Sequence, residues 1–148
     1  MDSFSRFVLD EIISHDEISN EIIAKVHSVS NPEKHLNVSV QEYSINDKTQ
    51  GSEFEGILAV DYVLGFRECE DASLSYKLQN VVDIKAIVKV IEIVDECTIY
   101  AKTDFHDKLV RVEFEKKIDP RINSYIEIEG ELHVMEKDNS IIELIRKC

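Results

Sequence analysis

Residues Ser124–Val134 read SYIEIEGELHV. Ile126, Ile128, Leu132 and Val134 fall on one parity, and Glu127, Glu129 and Glu131 fall on the other. Such alternation with period two predicts a strand with one dry and one wet face. Gly130 stands on the dry parity, where a side chain belongs. A glycine there marks a bulge, a bend, or a point where another backbone comes close. Small closed barrels need bends of this kind.

Working outward, the run Val81–Val94 places Val82, Ile84, Ala86, Val88 and Val90 on one parity, then shifts parity at Ile91 and Ile93. A strand that changes its buried face midway contains a bulge or serves two sheet halves in turn. Asp95-Glu96 suits a hairpin loop before a strand at Cys97–Lys102, and Asp104–Asp107 makes the next turn. Val110, Val112 and Phe114 then alternate with Arg111, Glu113 and Glu115. The polar segment Lys116–Asn123, with Pro120 inside it, links to the key strand. Lys137–Asn139 turns the chain into a last strand, Ile141–Arg146. Three strands, a linker and two more predict a five-stranded OB-fold barrel over residues 81–148. An SH3-like barrel is the competing architecture.

Residues 1–80 read as an extension packed on that barrel. Phe4, Phe7, Val8 and Ile12 follow helical spacing, and Leu9 and Ile13 widen the stripe, so residues 1–13 are expected to form an amphipathic helix. Ser14–Glu17 has the form of a capping box, which could open a second helix. The favoured alternative is a hairpin, with a strand at Ile22–Val29, a turn at Ser30–His35 containing Asn31-Pro32, and a return at Leu36–Tyr43. Asn46–Glu53 reads as a loop, Gly56–Leu64 as a strand and Phe66–Asn80 as a connector. The expected fold is therefore mainly β, an OB-fold barrel with an N-terminal helix and additional N-terminal strands.

The chain has 148 residues, enough to bury a core without staples. It has no long uninterrupted apolar run, so no membrane span is expected. The N-terminus lacks the pattern of a secretory leader. Cys69, Cys97 and Cys148 are far apart and odd in number, so no disulfide framework is expected and a reducing compartment follows. The net charge is −13. That opposes strong non-specific nucleic-acid binding, which depends on Lys and Arg displacing counterions from phosphates.

Catalytic motifs are missing from the sequence. His15, His27, His35, His106 and His133 show no metal-ligand spacing, and there is no glycine-rich phosphate loop or nucleophile elbow. Glu127, Glu129 and Glu131 read as a solvated strand face rather than a hard-cation site, because no turn gathers them. No catalytic residue, metal ligand or cofactor is therefore expected. The best aromatic and basic mixture for a weak single-strand contact is Tyr100, Lys102, Phe105, His106, Lys108 and Arg111. Apolar residues left over from the barrel interior would face a partner. These are Phe4, Leu9 and Ile13 at one end and Ile141 and Ile145 at the other, opposite in parity to Ile142 and Leu144.

The C-terminal half, through VRVEF at Val110–Phe114, SYIEIEGEL at Ser124–Leu132 and the closing Ser140–Cys148, resembles the smallest OB-fold subunits of trimeric single-strand-binding complexes. Replication protein A and the telomeric CST complex are two of these, and the telomeric small subunit is the nearer. The resemblance covers about residues 82–148. It implies a nuclear, non-catalytic subunit that binds a larger OB-fold protein and meets single-stranded DNA weakly or through the complex. In that family a helix follows the barrel and pairs with a partner helix. This sequence stops at Cys148 directly after the last expected strand. The small OB subunit that works with RecQ helicases and topoisomerase is similar in size and role.

Overall fold

The computed structural model describes residues 4–41 and 49–136. Ten strands follow one another: β1 (Phe4–Asp16), β2 (Glu21–Ser28), β3 (Asn31–Gln41), β4 (Glu53–Val63), β5 (Arg67–Glu68), β6 (Ser75–Leu78), β7 (Asp83–Asp95), β8 (Thr98–Lys102), β9 (Val110–Phe114) and β10 (Tyr125–Glu136). There is no helix among the described residues. The order β10-β3-β2-β1-β4-β9-β8-β7, closed by a β7–β10 pairing, makes an eight-stranded barrel. Short β5 and β6 flank it on β10 and β7.

Two expectations are corrected here. The five-stranded barrel of residues 81–148 becomes an eight-stranded one, and the expected extension supplies β1–β4 to the closed ring itself. The last expected strand, Ile141–Arg146, lies outside the described residues. The expected N-terminal helix is β1, paired with β2 on one side and β4 on the other. Its register shifts between Leu9 and Glu11 and again between Ile12 and Ser14, making Asp10 and Ile13 extra residues. Two bulges in one strand displace the apolar parity twice, and the result imitates a helical stripe. The favoured hairpin forms between Glu21–Ser28 and Asn31–Gln41, with a tighter turn than expected, since Asn31 and Pro32 already belong to β3, and residues 42 and 43 lie outside the described residues. In β7 the register shift between Val90 and Glu92 falls where the apolar parity changes at Ile91. Cys97 is buried and Cys69 is a free thiol, while Cys148 lies outside the described residues.

A further pairing, β4 with β10, crosses the ring. It divides the barrel into two smaller circuits that share this pair. One runs β1-β2-β3-β10-β4, and the other β4-β9-β8-β7-β10. The first uses the N-terminal half of β4 and the C-terminal half of β10, and the second uses the opposite halves. One apolar core runs through both, from Phe7, Leu9, Val26 and Val38 to Ile84, Ile99, Ile126 and Leu132. Each shared strand carries a glycine beside the other. A Cβ on Gly130 would stand 2.5 Å from the Asp61 carbonyl oxygen and 2.6 Å from Val60 Cγ1. A Cβ on Gly56 would stand 2.5 Å from the Met135 carbonyl oxygen and 2.7 Å from Val134 Cγ1.

Candidate functional site

Just beyond this seam, β4 breaks its pairing with β9 between Val60 and Val63. Within the break Tyr62 adopts φ 60°, a left-handed conformation that a bulky residue enters only under strain. The kink turns Asp61 inward, where it is 3% exposed, and Tyr62 outward, where it is 57% exposed. Leu64 follows at 75% exposure, and the Phe66 ring closes edge-on against Phe114 at 6.1 Å. Opposite them the outer face of β10 presents Glu127, Glu129 and Glu131, with Glu131 level with Asp83 of β7. Tyr62, Leu64, Phe66, Asp83 and the three glutamates line an open cleft of about 600 Å³.

The cleft is apolar on the β4 side and acidic on the β10 side. Lys85 Nζ lies 3.7 Å from Glu129 and 4.0 Å from Glu127, and Arg67 Nη2 donates to Glu127 Oε1 at 3.1 Å. Those pairs are exposed and worth little each. Asp83 and Glu131 add further carboxylates to the same cleft, Glu131 Oε1 lying 3.6 Å from His133 Nε2. His133 reaches toward the same place, with Nδ1 3.5 Å from buried Asp61 and its ring edge-on to Tyr62 at 5.8 Å.

The aromatic and basic row expected to touch nucleic acid is dispersed. Phe105 is buried, edge-on to Tyr76 at 5.5 Å. His106 is buried, with Nε2 2.9 Å from Ser5 Oγ and its ring stacked on Phe7 at 5.6 Å. Arg111 is buried too. It donates to Glu113, which also accepts from Thr98 Oγ1 at 2.9 Å, and its guanidinium lies 5.9 Å from the Tyr100 ring centroid. A guanidinium held in such a network is not presented to phosphates. Tyr100 and Lys108 remain half-buried, and Lys102 is exposed. The loop after β8 folds inward instead of outward, because Phe105 fills the core.

The expected partner residues divide similarly. Leu9 is 1% exposed inside the barrel and cannot meet a partner. Phe4 is half-buried at the start of β1. Ile13 is 41% exposed, beside Ile12 at 47% and near Ile18 at 97%, where the β1–β2 hairpin projects. Ile141 and Ile145 lie outside the described residues. Tyr62 and Leu64 were missed by pattern reading because a continuous apolar run, GILAVDYVL, conceals the bulge. The one available signal was the lone Asp61 inside it.

The chain matches no protein-family model, no curated protein and no solved structure.

Proposed function

We propose that this protein is a non-catalytic β-barrel subunit that works by docking on a larger protein of a single-strand-nucleic-acid complex. The docking half of this reading rests on the seam cleft. Tyr62 and Leu64 stand exposed against an acidic wall, and strain at Tyr62 holds the ring outward. An apolar surface supplies affinity, and surrounding charge supplies rate and orientation. Its complement is a segment carrying both Lys or Arg and apolar side chains, on a larger OB-fold subunit. The nucleic-acid half rests on the resemblance of residues 82–148 to small OB-fold subunits, telomeric ones nearest. Burial of Phe105, His106 and Arg111 and the charge of −13 favour contact with nucleic acid through the complex rather than by this chain alone.

The test is affinity capture with the tag-free surface intact, followed by binding assays with the recovered partner. Leu64→Glu and Glu129→Lys are each expected to weaken the complex tenfold or more, about 1.4 kcal/mol, with an unchanged melt of the free chain. Undiminished binding by both variants removes the cleft from the interface. The free chain should bind single-stranded oligonucleotides no tighter than about 10 µM at physiological salt. Submicromolar binding that is lost with Lys102→Ala would instead make it an autonomous binder.

A further inference from the structure

On the outer face of the β1–β2–β3 sheet, three side chains from three strands converge. His27 and His35 are direct register partners across the β2–β3 hairpin, with ring centroids 4.9 Å apart. Asp10 is the extra residue of the first β1 bulge. In a regular ladder it would stand level with Lys25. As the bulged residue it reaches the histidine pair instead. Its Oδ1 lies 2.7 Å from His27 Nδ1, and its Oδ2 lies 2.7 Å from His35 Nδ1. One ligand atom from each of the three lies within 4.8 Å of the other two.

We propose that Asp10, His27 and His35 form a binding site for a divalent transition-metal ion of the zinc type. Imidazole nitrogen and carboxylate oxygen bind such an ion at about 2.0–2.2 Å, which sets ligand atoms about 3–3.5 Å apart. The two carboxylate–imidazole separations of 2.7 Å are shorter than that spacing, so the Asp10 carboxylate and the two rings must move apart slightly to admit the ion. Two imidazoles and one carboxylate select zinc-like ions over magnesium or calcium, which prefer all-oxygen shells. An open cleft of about 370 Å³ lies over Asp10 and His35, with room for water to complete the coordination. The chain's charge of −13 draws cations. Two charged groups share the cleft, Glu11 and Lys25. Their opposite signs offset locally. A bound ion would pin the bulge of β1 to the β2–β3 hairpin, bracing the open end of the first circuit. The local sequence conceals the site because His27 and His35 meet only through the hairpin register, and Asp10 joins them only through a bulge.

Without metal, the same trio can persist as two Nδ1–H donors on one carboxylate, so the ion itself must be tested. The 148-residue, tag-free chain is stripped with chelator and titrated calorimetrically with ZnCl2, with MgCl2 in parallel. The expected result is saturable one-to-one Zn²⁺ binding, a higher Tm with Zn²⁺, and no effect of Mg²⁺. Asp10→Asn and His35→Gln should each lower affinity by at least about tenfold, the lower end of losses seen even for outer-shell groups. Zn²⁺ should raise the Tm of each variant, measured against its own metal-free melt, less than it raises that of the parent. Absence of saturable Zn²⁺ binding, or undiminished binding by both variants, overturns the proposal. If a variant fails to fold, Co²⁺ added to the parent chain decides. An intense visible band of a nitrogen- and oxygen-ligated low-symmetry site supports the site, and the spectrum of aqueous Co²⁺ overturns it.

Discussion

His106 shows how one residue can couple this barrel to pH. Burial pushes its imidazole down to about 4, while nearby Asp107 pulls weakly the other way and Lys108 adds to the lowering. The unfolded chain titrates near pH 6.5. Between those values the unfolded state carries a proton that the native state refuses, so stability falls as pH falls. The contribution is complete above roughly pH 6.5, declines toward pH 4 and then levels, spanning about 3 kcal/mol. Urea unfolding at pH 7 and pH 4.5 should show this loss in the parent and a smaller one in His106→Gln, which keeps a polar contact to Ser5 but does not titrate. Equal losses in both would assign the titration to another group. The sequence marked His106 as a possible base-contacting residue. Its inward turn depends on Phe7 and Ser5, about a hundred positions away.

At the scale of elements, β4 and β10 carry the architecture. Gly130 and Gly56 occupy equivalent roles, each meeting a carbonyl oxygen of the other strand that cannot move without disturbing the ladder. Gly130→Val and Gly56→Val should each destabilise the fold by about 1–3 kcal/mol through overpacking. Gly65→Ala is the contrasting control. Its Cβ would lie 3.5 Å from the flexible end of Lys116, and it should change stability by less than about 0.5 kcal/mol. Thermal melts of the three variants measure this, and a neutral Gly130→Val would remove the steric account of the seam. The alternation around Gly130 made this strand readable in advance. The helical reading of β1 failed because propensity and spacing are local, whereas its bulges are imposed by pairing to β2 and β4 at once.

At the scale of the whole molecule, neither half of the chain closes a barrel. Residues 81–148 contain β7–β10 but lack β4, which pairs with both β9 and β10, and they lack β3 beside His133. That fragment, expressed alone, should show no cooperative melt and no dispersed amide spectrum, because β9 and β10 would expose unpaired edges and apolar inner faces. A cooperative transition in the fragment would restore the picture of an independent C-terminal barrel.

The sequence by itself determined that the chain is β-rich, where most strands and turns lie, that the apolar parity of β7 changes at Ile91, and that Gly130 is a special position. Alternation, parity changes and turn residues act over a few positions, so a linear reading captures them. Tertiary structure alone decided that β1–β4 join the ring, that β4 and β10 are shared, that Tyr62 and Leu64 face an acidic wall, and that Asp10 meets His27 and His35. Each of these depends on register between separate strands. A one-residue shift moves a side chain to the opposite face, and local pattern does not specify which distant strand supplies the partner.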